Sequence, residues 1–270
     1  HRLTFGTDST NQAEDNLDAF LGPDFAPYYS SSSAAGGRRI NRESVIYTTF
    51  DYAATGEKQL LDDLASTTSA GFQVYTKSIK DLTASGRRFP ALGLSAVSAT
   101  GQDMSGSDGL VEINTVGVYL QQQFGWKDRW FVTGAVRADD NSSFGEDFSL
   151  VYYPKVSTSF VVNDALRVRA AYGESGQQPD AFDALRSFTT RLSPTGGATV
   201  TPLSPGNSEL GPERGVEIEA GFDANLFNGR LTLDFTYYDQ TTKDAIVARN
   251  VPPSTGFTGS QFVNIGEISN

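Results

Sequence analysis

From Val111 onward, apolar and polar residues alternate one for one along successive runs of the chain. Val116, Val118 and Leu120 fall on one side of the first run, against Thr115, Tyr119, Gln121 and Gln123. In the next, Trp130, Val132, Gly134 and Val136 oppose Arg129, Thr133, Arg137 and Asp139. Val156, Thr158, Phe160 and Val162 then oppose Lys155, Ser157 and Ser159, and Leu166, Val168, Ala170 and Tyr172 oppose Arg167, Arg169 and Gly173. Two further runs set Val216, Ile218, Ala220 and Phe222 against Glu217, Glu219 and Asp223, and Leu231, Leu233, Phe235 and Tyr237 against Thr232, Asp234, Thr236 and Gln240. A period of two sends successive side chains to opposite faces of an extended backbone, so each run predicts a β-strand with one apolar and one polar face.

The first hundred residues carry the pattern more weakly. Residues 1–9 predict a strand, followed by a long loop whose Pro23, Pro27, Ser30 to Ser33, Gly36 and Gly37 have turn and breaker composition. Ser44 to Ala54 and Ser69 to Ser78 predict two more strands. Between them, Leu60, Leu61 and Leu64 have helical spacing, but Gly56 and Asp62-Asp63 suit a strand reversal, which is the favoured reading.

Gap length alternates with a fixed phase. The connections near 56–64, 125–129, 163–164 and 228–229 are short, and those near 10–43, 79–110, 139–148, 174–214 and 241–261 are long. Trp126, Trp130, Tyr152, Tyr153, Tyr172, Tyr237 and Tyr238 gather at strand ends, as interfacial girdles do. The strands are also longer than the roughly five to six residues usual in soluble sheets. Together these features predict an all-β chain: an antiparallel up-and-down transmembrane β-barrel segment of about ten strands. A soluble β-sandwich or adhesin domain shares the alternation and is the alternative fold.

Composition removes several function classes. Cysteine is absent and His1 is the only histidine, which excludes thiol nucleophiles, most His-dependent triads and most His or Cys metal sites. The formal net charge of -11 argues against a nucleic-acid partner. No apolar run approaches the roughly 18–20 residues of a spanning helix, which leaves a barrel untouched. The chain begins with His inside an apparent strand and ends abruptly at Ile268-Ser269-Asn270, so it is read as an internal piece of a longer protein.

Few residues carry candidate chemistry. Asp139-Asp140-Asn141-Ser142-Ser143 is the densest cluster of oxygen ligands, but it lacks EF-hand spacing and reads as a strand-end turn. Glu217, Glu219 and Asp223, and Arg167 and Arg169, form acidic and basic stripes that read as charge lining a barrel interior. Ser193-Pro194-Thr195-Gly196-Gly197 and Pro252-Pro253-Ser254-Thr255-Gly256-Phe257-Thr258-Gly259 follow no phosphate-loop spacing and read as loop tips. No catalytic, cofactor or metal residue is assigned, and the ligand-binding residues are unknown. The loops near 174–214 and 241–261 are the expected seat of any recognition.

Five segments in order resemble one family. The stretch from Gly125 through Lys127-Asp128-Arg129-Trp130 to Arg137-Ala138-Asp139-Asp140-Asn141-Ser142-Ser143-Phe144-Gly145 is similar to a signature of TonB-dependent outer-membrane receptors of the SusC/RagA type. Tyr153-Pro154-Lys155-Val156-Ser157, Leu166 to Pro179, Asn207 to Arg214, and Tyr237-Tyr238 with Asn264 to Asn270 resemble the motifs that follow it there. The matches cover about residues 110–270; the rest agrees only in style.

The resemblance implies a barrel of about 22 strands closed around an N-terminal plug. This chain would then be a partial barrel domain over 1–270, about ten strands of a larger barrel, lacking the plug and the closing C-terminal strands. It also implies short periplasmic turns, long extracellular loops and a bacterial outer-membrane location. The implied function is energy-dependent import of a large nutrient, of glycan or peptide class, without catalysis or cofactor. The implied partners are the TonB–ExbB–ExbD complex, a SusD-like surface lipoprotein, outer-membrane lipid and the nutrient itself. A passive porin built on the same barrel is the alternative function.

Overall fold

A computed structural model describes residues 1–21, 34–146, 150–193, 196–257 and 259–269. Its strands are β1 (Arg2–Asp18), β2 (Gly37–Leu61), β3 (Leu64–Arg87), β4 (Gln102–Trp126), β5 (Trp130–Asn141), β6 (Val151–Asn163), β7 (Leu166–Gln177), β8 (Ser187–Leu192), β9 (Ala198–Ser204), β10 (Glu213–Leu226), β11 (Leu231–Lys243), β12 (Ile246–Asn250), β13 (Ser260–Asn264) and β14 (Glu267–Ser269). Ten of them form one sheet in the order β1-β2-β3-β4-β5-β6-β7-β10-β11-β14. Sequential neighbours pair antiparallel, the up-and-down order that alternation and short turns predict. The hairpins β8–β9 and β12–β13 stand outside that sheet, within the two long connections.

The chain divides into two compact units: His1–Phe5 with Phe50–Tyr75 and Asn114–Asn270, and Gly6–Thr49 with Thr76–Ile113. In the first unit, registers keep like faces together. Leu120 pairs with Val136, Phe124 with Val132, Trp130 with Phe160, Phe160 with Val168, Val168 with Phe222 and Phe222 with Phe235. The second unit holds parts of β1 to β4, where neither face is uniformly apolar. There Asp15 bridges Arg38 and Arg42, each at 3.1 Å.

The reversal at residues 56–64 is a turn at Asp62-Asp63, with no helix. The strands around it run much further than the alternation suggests. β1 continues to Asp18, β2 starts at Gly37, and β3 and β4 leave only residues 88–101 between them. The loops expected at 10–43 and 79–110 are therefore shorter than their composition implies. Backbone ladders pair without regard to side chains, so a strand with polar residues on both faces persists while its sequence signal vanishes. The Pro23 to Ser33 part of that loop, Pro194-Thr195 and Thr258 lie outside the described residues.

At the other end of the sheet the turns are tight and carry unusual backbone. Lys127 and Asp128 have φ of 52° and 53°, and Phe227, Asn228 and Gly229 have 54°, 57° and 81°. A left-handed non-glycine residue costs about 1–2 kcal/mol, and Lys127 is held there by several contacts. Its N–H donates to Asp63 O at 2.7 Å, and its ammonium lies 3.6 Å from the Asp63 carboxylate and 5.3 Å from the Trp126 ring.

Candidate functional site

Three features of the first unit bear on function: an exposed apolar face, a charged opposite face, and a braced cluster of long loops. The apolar face is made by the residues that alternation selects. Val118, Leu120, Val156, Ile218 and Phe235 are each at least half exposed. On β6 this face runs from Tyr152 to Val162, about the length a tilted bilayer-crossing strand needs. Trp126 and Trp130 end it on the tight-turn side, their rings 6.3 Å apart, with Trp130 Nε1 donating to Thr158 Oγ1 at 2.9 Å. Tyr152 follows the same face at its long-loop end, whereas Tyr172 and Tyr237, expected at strand ends, lie on that face at mid-strand, paired with Val156 and Ala220. Tyr153 and Tyr238 do not, because period two puts them opposite; Tyr153 is buried against Phe144 and Val151.

The opposite face is polar, as the acidic and basic stripes predict. Asp223 accepts from both Arg167, at 3.1 Å, and Arg169. Arg169 also donates to Asp234 at 2.9 Å and Thr236 at 2.6 Å. Arg137 holds Asp139 at 2.7 Å and reaches Gln73 at 3.0 Å. Arg167, Arg169, Asp223 and Asp234 are satisfied across strands, which is the wall-lining reading, while Arg137 and Asp139 pair along one strand. Glu217 and Glu219 stand apart from this network as neighbours on one strand. A depression of about 330 Å3 opens on this face, lined by Thr133, Ser157, Ser159, Arg167, Arg169 and Glu219.

The long-loop end is where structure adds most. Asn141 is a buried turn former: its amide donates to Thr115 Oγ1 at 2.6 Å, and its Oδ1 accepts from Ser143 N at 2.8 Å and Ser143 Oγ at 2.6 Å. The Asp139–Ser143 cluster is thus a strand-end turn, and no group of three or more metal-ligating residues occurs among the described residues. Gly145 N then donates to Leu210 O at 2.9 Å, and a Cβ on Gly145 would strike the Ser208 carbonyl. Asn264 closes the cluster from the last segment: Gly211 N donates to its Oδ1 at 2.8 Å, and its amide returns a bond to Gly211 O at 2.9 Å. Ile246 N donates to Glu213 at 2.8 Å. Three motifs far apart in sequence therefore meet in one brace.

Above the brace, the two loops expected to carry recognition fold as hairpins docked on each other. Gln261 Nε2 donates to Gly206 O at 2.7 Å, Asn207 Nδ2 to Phe262 O at 2.9 Å, and Gly259 N to Leu203 O at 2.8 Å. A hollow of about 570 Å3 is lined there by Glu146, Leu185, Arg186, Asn207, Glu209 and Gln261. Arg186 lies 5.8 Å over the Phe257 ring, and Phe182, Phe188 and Val200 are exposed. Burial pushes the Asp183 carboxyl above its ordinary value. Nothing in the sequence marks the docking itself, because its bonds use backbone groups and single amides.

Comparison with known proteins follows the same lines. The family model described as TonB dependent receptor-like, beta-barrel matches residues 1–270. TonB-dependent receptor P26 of Formosa agariphila is 26% identical over 296 residues, covering 100% of this chain and 28% of that protein. SusC of Bacteroides thetaiotaomicron is 25% identical over 162 residues, covering 53% of this chain and 16% of its own length. A solved structure of the RagAB peptide transporter superposes with a TM-score of 0.85 at 20% identity, covering 99% of this chain and 30% of that one. The chain thus spans less than a third of the length of these relatives.

Proposed function

The chain belongs to the TonB-dependent receptor-like β-barrel family, and from that membership we propose that it is part of the barrel wall of an outer-membrane active transporter. The observation that carries this reading is the two-faced sheet. An exposed apolar face ends in two tryptophans at the tight turn between β4 and β5, and its reverse is lined by cross-strand ion pairs. Lipid accounts for the first face and a polar lumen for the second. The tight turns then face the periplasm and the long loops the cell exterior.

The cargo is a nutrient too large for passive pores, of glycan or peptide class. The solved RagAB structure is of a peptide transporter, which is compatible with the peptide option. The docked hairpins and their hollow are the proposed first contact for cargo, since they combine exposed aromatics with hydrogen-bonding amides. The remaining length of the parent protein supplies a plug and the contact with the TonB–ExbB–ExbD complex. A SusD-like lipoprotein sits over the loops. The barrel itself performs no covalent chemistry.

Uptake tests the proposal. Cells lacking the parent gene should lose import of fluorescent oligosaccharides or peptides supplied as mixtures. Wild-type cells should lose it on addition of a proton-motive-force uncoupler. Import that survives the uncoupler identifies a passive porin instead. Recovery of the parent protein in the detergent-free soluble fraction would overturn the barrel.

A further inference from the structure

The turn between β10 and β11 holds the sole Asn-Gly pair of the sequence, Asn228-Gly229. We propose that Asn228 is a site of spontaneous deamidation, an ageing modification that converts it to aspartate and isoaspartate. The reaction needs only neighbouring atoms and water. The Gly229 backbone nitrogen attacks Asn228 Cγ and loses its proton as the new N–C bond forms. The Cγ–Nδ2 bond breaks and ammonia leaves. Water then opens the five-membered imide at either carbonyl, giving the aspartyl or the isoaspartyl chain.

Three local features favour this position over the other asparagines. Glycine has no Cβ to crowd the attacking nitrogen, and the space where a Gly229 Cβ would stand is open to 4 Å. Both residues are exposed, and the turn is closed by a long, weak Arg230 N to Phe227 O bond of 3.4 Å. The Asn228 side chain makes no hydrogen bond with the described residues, so its amide is free to rotate. The contrasts are close by. Asn225 accepts from Thr232 Oγ1 at 3.0 Å and precedes Leu226, Asn163 accepts from Ala165 N at 2.9 Å, and Asn141 is buried with both its amide nitrogen and its amide oxygen hydrogen-bonded. The inference rests on the turn alone and stands apart from the transport reading. Its product adds a negative charge beside Arg230, and the isoaspartyl route lengthens the main chain inside a connection of four residues, 227–230.

The full-length parent receptor, purified in detergent and incubated at mildly alkaline pH, provides the test. Trypsin releases Gly215–Arg230, which contains Asn225 and Asn228 in one peptide. Electron-transfer fragmentation should place aspartate and isoaspartate at Asn228 and leave Asn225 intact. Asn228→Gly keeps a residue that tolerates the observed φ of 57°, and should abolish the product while the barrel stays folded by its heat-dependent gel migration. An unchanged Asn228 in the folded receptor, when the free synthetic peptide converts in parallel, overturns the proposal. So does a signal that persists in Asn228→Gly.

Discussion

Single glycines decide how closely neighbouring strands approach. Gly71 is the clearest case: a Cβ there would lie 2.7 Å from Tyr119 Cε1 and would also strike the Tyr52 carbonyl oxygen. The Tyr119 ring therefore rests in the space a side chain would fill. One contact is flexible, but the other is backbone, so no rotamer change relieves both. Gly71→Val should destabilise the folded barrel by about 1–3 kcal/mol through overpacking. Urea titration of the parent receptor in lipid vesicles measures this. A matched Gly134→Val, at a position with nothing within 4 Å, should have little effect. Equal losses at both sites would mean that strand propensity, and not the seat of Tyr119, sets the cost. Such seats were not legible in the sequence: Gly134 falls on the apolar side of its run and Gly71 on the side opposite Phe72, and neither position tells what the neighbouring strand places beside it.

Among the elements, strands were legible in proportion to how different their two faces are. β5, β6, β7, β10 and β11 each present apolar residues to one side and polar ones to the other, and their spans follow the alternation closely. β2, β3 and β4 reach 25, 24 and 25 residues, more than twice the roughly 9–11 that cross a bilayer. Their outer parts have mixed faces, so periodicity fell silent there while backbone pairing continued. The same limit hid the β8–β9 and β12–β13 hairpins inside segments that composition marked as loops. The brace beneath them was half legible. Its three motifs could be read one by one, but not that Asn264 reaches Gly211 or that Gly145 reaches Leu210. Because Asn264 both accepts from and donates to Gly211, its truncation leaves two partly buried backbone groups unsatisfied. Asn264→Ala should cost about 1–3 kcal/mol locally. Hydrogen exchange should rise at residues 205–213 and 244–250 without change in β5 to β7. Exchange that rises across the whole sheet would assign Asn264 to global stability and dissolve the brace as a separate element.

At the scale of the whole molecule, one question governs every other: whether the apolar face meets lipid or a protein core. Burial of that face by a second layer of protein and immersion in a bilayer both penalise charge, so a single charged substitution does not separate them. Depth does. In a bilayer the cost of an arginine is about 2–4 kcal/mol at the midplane and falls to roughly 0–1 near the interface, whereas a protein core imposes no gradient tied to strand position. β6 offers both depths on one face, with Val156 near the centre of its apolar run and Tyr152 at the long-loop end, 55% and 54% exposed. Val156→Arg should therefore destabilise the parent receptor in vesicles strongly, and Tyr152→Arg barely. Ser157→Arg, on the polar face beside Val156, should be tolerated like other lumen substitutions. Size gives an independent check: lipid accepts a larger apolar group, so Val156→Phe should be close to neutral, while a packed core would lose about 1–3 kcal/mol to overpacking. Equal penalties for the two arginines, joined to a costly Val156→Phe, would replace the membrane wall with a protein-covered sheet.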